Sequence, residues 1–139
     1  MSQLKSNSNF ENFLNSSLLL TGSFFFFFFL FSHRYMLSGG LSKKSDVYSF
    51  GVVLLELVSG QPALIKSTNG ITDHLINWVP PLIDRGEIRG IVDPRLNGDF
   101  DISSAWKAVE TAMACVRFSS VDRPTMSDIV YELKESVNC

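Results

Sequence analysis

Apolar and polar positions along the chain fall into three helical patterns separated by turn-rich stretches. Between Val47 and Val58 almost every position is apolar, which predicts a helix enclosed on all sides, the axle of a core. Ser45 suits an N-cap, Asp46 sets a negative charge at the positive end of the helix dipole, and Gly60 followed by Pro62 makes a C-terminal stop. Further along, Ile102, Ala105, Trp106, Val109, Ala112, Met113 and Val116 form one stripe at three- and four-residue spacings, predicting an amphipathic helix from about Ser103. Thr125-Met-Ser-Asp128 has the form of a capping box. It opens a last helix whose stripe is Met126, Ile129, Val130, Leu133 and Val137. Both stripes are expected to pack on the central helix and its neighbours.

The stretches between these helices read as connections. Gln61 to Gly70 is polar and contains glycine, the pattern of a loop. Thr72 is expected to cap a short helix through Leu75, Ile76 and Val79 that Pro80-Pro81 interrupts, and Pro81 to Gly86 forms a second short helical piece. Trp78 reads as a packing residue. Asp93, Asp99 and Asp101 are spaced like part of a calcium loop, but Arg95 stands where such a loop needs an oxygen ligand, so the acids are read as turn formers.

The N-terminal part is of another kind. Its first dozen residues are rich in Ser and Asn without a hydrophobic period, the composition of a disordered segment. Leu18 to Phe31 is then almost wholly apolar, long enough for the core of a signal peptide and short for a bilayer span, which needs about 20 residues. An accidental hydrophobic run, a signal anchor and a cleaved signal are the three accounts at the protein level. Lys5 is a thin positive flank, no small-residue cleavage pattern follows Phe31, and Asn15-Ser-Ser17 is a glycosylation sequon only if the chain enters the secretory pathway. A genetic account fits better: phenylalanine codons are all-pyrimidine, so Phe24 to Phe31 matches the tract before a splice acceptor, read in frame.

Composition narrows the function classes. At 139 residues the chain holds one modest core. A net charge of -2 supplies no basic field for nucleic acid. Cys115 and Cys139 lie far apart, one in a helical apolar pattern and one at the last position, so neither a disulfide framework nor a metal site follows. His33 and His74 lack partners at ligand spacing and read as surface or cap residues.

Two motifs carry a resemblance. Lys44-Ser-Asp-Val-Tyr-Ser-Phe-Gly-Val-Val-Leu-Leu-Glu-Leu-Val-Ser-Gly60 resembles the central helix of the C-terminal lobe of protein kinases, in the form found in plant receptor-like serine/threonine kinases. Arg123-Pro-Thr-Met126 resembles the signature near the end of those domains, and Asp93-Pro-Arg-Leu with Trp106-Lys-Ala-Val-Glu is most like the leucine-rich-repeat receptor kinases. The resemblance runs from Tyr35 to about Val137, roughly three quarters of the chain. It implies a mainly α fold, a partial kinase C-lobe of the central helix and the helices after it, without the N-terminal lobe or catalytic loop. The expected organisation is a leader, residues 1–34, unrelated to the fold, and a partial kinase domain, residues 35–139.

The same resemblance sets the expectations for chemistry. Phosphoryl transfer from ATP needs a Gly-rich loop, a strand lysine, a catalytic aspartate and asparagine, and a metal-binding Asp-Phe-Gly. None of these is read in the sequence: Gly39-Gly40 lacks the third spaced glycine, and Phe50-Gly51 and Asp99-Phe100-Asp101 match Asp-Phe-Gly only by accident. No catalytic, cofactor-binding or metal residue is assigned, whereas the parent family uses ATP and magnesium. Three positions are carried over as structural ones: Asp46, Gly51 and Arg123. The family's Asp46 counterpart hydrogen-bonds the catalytic loop; without that loop, a first-turn acid is worth about 0.3–1 kcal/mol. The counterpart of Arg123 pairs with the Ala-Pro-Glu glutamate, but here Ser32-His33-Arg34 stands in that place. An unmatched buried charge costs on the order of 3–5 kcal/mol, so Arg123 is expected to find Asp122 or Glu110 or to turn to solvent.

The expected function is thus a catalytically incomplete remnant of a receptor-like kinase domain, from a truncated gene or a faulty gene model, and not an enzyme. The alternative is a non-catalytic kinase-like module that binds other receptor kinase domains and is held at a membrane by Leu18 to Phe31. The parent family resides at the plasma membrane, and this chain's own localisation depends on that leader. Apolar surface on the central helix, evolved to be covered by absent elements, is expected to be bare or covered by the leader.

Overall fold

The computed structural model describes residues 43–138, and the readings that concern the leader, Asn15, His33, Arg34, the Tyr35 boundary and Cys139 lie outside them. Five α-helices and one small sheet are present among the described residues. Helix α1 is Lys43–Ser59, strands β1 and β2 are Leu64–Lys66 and Thr72–His74, and helix α2 is Leu75–Asp84. Helix α3 is Ile88–Ile91, α4 is Ile102–Cys115 and α5 is Met126–Val137, with 3-10 turns at Pro94–Leu96 and Ser120–Asp122. The mainly helical expectation holds.

The central helix differs from its predicted form in two respects. The described residues are already helical at Lys43, so Ser45 lies inside the helix and is not the N-cap. The Lys44 ammonium and carbonyl are both bonded to Arg123 and tie this part of the helix in place. Nor is the helix enclosed all round. Val47, Gly51, Leu55 and Ser59 are buried, a single row at four-residue spacing, while Val52, Val53, Leu54, Leu57 and Val58 are half-buried. One row suffices to make it an axle on one side.

Two patches of core sit along that row. Leu55 joins Leu75, Val79, Leu82, Ile88, Ile91, Val92, Val109 and Ala112, with Trp78, Trp106 and Met113 packed partly buried around them. Val47 joins Cys115 and Ile129, flanked by Phe50 and Leu133. Burying each large aliphatic residue contributes about 1.5–3 kcal/mol, so the first patch carries most of the cohesion.

The connection after α1 is more ordered than its polar composition predicts. Leu64 pairs with His74, Ile65 with Asp73 and Lys66 with Thr72 in an antiparallel hairpin closed by Ser67 N–H to Ile71 and Gly70 N–H to Ser67. Thr72 is therefore a strand residue, and His74, exposed, precedes the helix without capping it through its side chain. The two prolines do not interrupt α2. Each removes a helical donor at a cost of about 3 kcal/mol, but Leu75, Val79 and Leu82 are all buried on the other side, and their burial offsets the loss. The short piece ending at Gly86 is thus the end of α2, and α3 follows it as a separate single turn.

The last two helices follow their stripes closely at the start and less so at the end. Asp101 caps α4, its carboxylate accepting from Ser104 N–H at 2.6 Å. Thr125 and Asp128 form the expected capping box at α5. On α5, however, only Ile129 and Ser136 are buried; Met126, Val130 and Val137 are exposed. The helix rests on α4 along a narrow edge, so the wide stripe has no surface to cover it among the described residues.

Candidate functional site at the ends of the central helix

Gly51 lies at the middle of the buried row, where α1 meets the end of α4. A Cβ there would come within 2.5 Å of Cys115 Cβ, 2.8 Å of Val116 Cγ1 and 2.9 Å of the Ala112 carbonyl. Only a residue without a side chain permits this approach, and the backbone oxygen cannot swing away. Burial beside it pushes the Cys115 thiol up to about 11, which keeps it protonated and a poor nucleophile at neutral pH.

The N-terminal end of α1 is tied by Arg123. Its guanidinium donates from Nε to the Arg117 carbonyl at 2.8 Å, from Nη1 to the Lys44 carbonyl at 3.0 Å and from Nη2 to the Phe118 carbonyl at 3.1 Å. The same group lies 4.9 Å above the Tyr48 ring. Lys44 Nζ returns a bond to the Arg123 carbonyl. The arginine therefore neither finds Asp122 or Glu110 nor turns to solvent. Backbone carbonyls are dense where the turn at 117–122 doubles back, and they supply neutral acceptors without requiring a second buried charge. Asp46 is exposed in the first turn of α1. The sequence signal missed here was the four-residue spacing of Lys44 and Tyr48, which puts both on one helix face.

At the other end, Asp93 is 3% exposed and reaches under the helix terminus. Its N–H bonds the Val58 carbonyl at 2.9 Å, one of the acceptors a helix end leaves open. Gly60 closes the helix at φ +66°, and a Cβ on it would stand 2.5 Å from the Asp93 Cγ. The carboxylate accepts from Arg95 N–H at 2.9 Å and from the guanidinium at 2.5–3.1 Å. Burial pushes the Asp93 carboxyl up, but these bonds and the Arg95 charge outweigh it and hold it below the usual range. Asp93 is a turn former, the role read for it once Arg95 stood in place of an oxygen ligand. Nearby, burial raises the Glu56 carboxyl while a 2.7 Å bond from Ala63 N–H works against the rise.

An open groove between α4 and α5 is lined by Lys107, Glu110, Thr111, Pro124, Asp128 and Glu132, and the Lys107–Glu132 ion pair crosses it. No group of three or more potential metal ligands occurs among the described residues. The structure thus brings Gly51 and Arg123 into packing and clamping roles and leaves Asp46 at the surface.

The chain is similar to leucine-rich-repeat receptor-like kinases. Over 105 residues the chain is 56% identical to a putative leucine-rich repeat receptor-like protein kinase of Arabidopsis thaliana, a match covering 75% of this chain and 12% of that protein. It is 48% identical over 101 residues to a probable leucine-rich repeat receptor-like protein kinase, and 50% identical over 104 residues to an LRR receptor-like serine/threonine-protein kinase, both from the same plant. These cover 73% and 75% of the chain, and 11% of each relative. The chain thus spans about an eighth of the length of the curated relatives it matches. No protein-family model matches it.

Proposed function

We propose that this chain, homologous over three quarters of its length to leucine-rich-repeat receptor-like serine/threonine kinases of plants, is a non-catalytic derivative of their kinase domain. The observation that carries the reading is a division within the sequence. The motifs of the lobe's scaffold are present, at Ser45-Asp-Val-Tyr-Ser-Phe-Gly51 and Arg123-Pro-Thr-Met126. Those that hold nucleotide and magnesium, which a phosphoryl transfer cannot do without, are not read anywhere in it.

The relatives' names imply a membrane setting for the parent family. Among the described residues no helix is long and apolar enough to cross a membrane. Attachment of this chain through a span would fall to Leu18 to Phe31.

Purified chain, incubated with magnesium and radiolabelled ATP in the presence of a basic protein acceptor, tests the proposal. We expect no transfer above the protein-free control and no heat of nucleotide binding by calorimetry. Transfer that a chelator abolishes would refute it.

A further inference from the structure

The turn joining α4 to α5 is the most exposed apolar feature of the described residues. Residues 117–122 are all exposed; Phe118 is 102% and Val121 84% accessible, higher than any other large apolar side chain described. Behind Phe118 and Val121 stand Lys44 and Arg123, and the exposed Arg117 adjoins them in the turn itself. Lys44 and Arg123 are half-buried, and all three bond backbone carbonyls: Lys44 to Arg123, Arg117 to Asp122, Arg123 to Lys44, Arg117 and Phe118. A neutral acceptor satisfies the donor without cancelling the charge. The acids in reach are Asp122 in the turn itself and Asp128, which acts on Lys44 but spends its carboxylate on the N–H and hydroxyl of Thr125.

We propose that residues 117–122 form a peripheral docking surface for an anionic lipid bilayer. Depth order is the argument. A bilayer presents anionic headgroups first and an apolar layer beneath, and this turn presents its apolar side chains outermost with Lys44 and Arg123 a step behind and Arg117 at its flank, so Phe118 and Val121 reach the acyl boundary as the cations meet headgroups. An acidic peptide would supply the charge complement but docks most readily in a groove, and this feature is a convex tip. Each cation near an anionic surface strengthens binding by about fivefold, and the effect is screened by salt. Asp122 opposes it, which gives the proposal a signed internal check.

The full chain carries Leu18 to Phe31 as well, so the test must report on the tip itself. The indole introduced by Phe118→Trp, read against the unsubstituted chain to subtract Trp78 and Trp106, is mixed with brominated vesicles of phosphatidylcholine alone or with 30% phosphatidylserine. We expect quenching only with phosphatidylserine, reversed by 0.5 M salt. We also expect partition at least tenfold weaker for Phe118→Ser/Val121→Ser, about fivefold weaker for Arg117→Gln and stronger for Asp122→Asn, with unchanged melting temperatures. Partition without quenching of the introduced indole would assign membrane contact to the leader and overturn the proposal. So would binding of a polyglutamate peptide, lost in the serine variant, by a chain that ignores vesicles.

Discussion

The two ends of α1 are each held by an arginine, and the two arginines work against different partners. At the C-terminal end Arg95 answers a buried carboxylate, Asp93, placed at the negative pole of the helix dipole where an acid is unfavourable. At the N-terminal end Arg123 and Lys44 are cations at the positive pole, equally contrary to the dipole, and they are answered by carbonyls and the Tyr48 ring. The first end balances charge with charge and so depends on protonation. The second balances charge with neutral oxygen, is indifferent to acid, and leaves a positive field beside the turn at 117–122. A half-buried arginine cut off from an acid is thus not stranded if a turn folds its carbonyls toward it.

The largest expected effect is at the charged end. Gly60→Ala adds a Cβ where φ is +66° and where the Asp93 carboxyl already sits, so it combines left-handed backbone strain with displacement of a buried acid. We expect a loss of about 3 kcal/mol, measured by urea denaturation. A loss near 1 kcal/mol would mean that Asp93 moves aside easily and that this end is loosely built.

Arg95→Ala comes next. It strands a carboxylate at a helix terminus, and because the Arg95 side chain is 59% exposed the cost falls below that of a fully buried pair, at about 2 kcal/mol. Because the folded-state Asp93 carboxyl lies below its ordinary value, the pair's contribution is fully present above about pH 3.9 and is lost as pH falls through that value toward the folded one. Melting temperatures of wild type and Arg95→Ala should therefore draw together as pH falls below about 3.9. A gap that persisted in acid would show that Arg95 acts through packing.

Arg123→Lys probes the neutral end. The charge stays while the three-way fork is lost, and at about 0.5–1.5 kcal/mol net per carbonyl bond, with lysine recovering part, the expected loss is about 1–2 kcal/mol. It should be the same at pH 3 and pH 7, in contrast with Arg95→Ala. An effect that faded in acid would point to Asp122 as a hidden partner.

These two ends also mark how far the sequence is legible. Helices α4 and α5 follow from local signals: a stripe at helical spacing, and the Thr125–Asp128 box, whose bonds span three residues. Helix α2 was misread at Pro80-Pro81 because a local breaker was overruled by burial of Leu75, Val79 and Leu82, which only the tertiary structure determines. The hairpin was missed because its six paired residues are mostly exposed and carry no alternation. At the site, Gly51 and Arg123 were legible as positions, through a family motif, and their partners were not. A carbonyl has no letter in a sequence, and Arg117, Phe118 and Lys44 are brought to Arg123 by the fold alone.

Asp46→Asn has the smallest expected effect and bears on the remaining family position. If the exposed carboxylate acts on the dipole and on the neighbouring cations, its neutralisation costs about 0.5 kcal/mol in dilute buffer. Both interactions are screened, so the loss should vanish in 1 M salt. A hydrogen-bonded Asp46, the role its family counterpart has toward a catalytic loop, would behave differently: asparagine keeps an acceptor oxygen, so the loss would be small, while Asp46→Ala would cost more than Asp46→Asn and salt would not rescue it. Melting temperatures of the two variants at low and high salt separate these cases. Equal, salt-sensitive losses leave Asp46 as a charge on a helix end; unequal, salt-insensitive ones mean that a partner for the carboxylate exists outside residues 43–138.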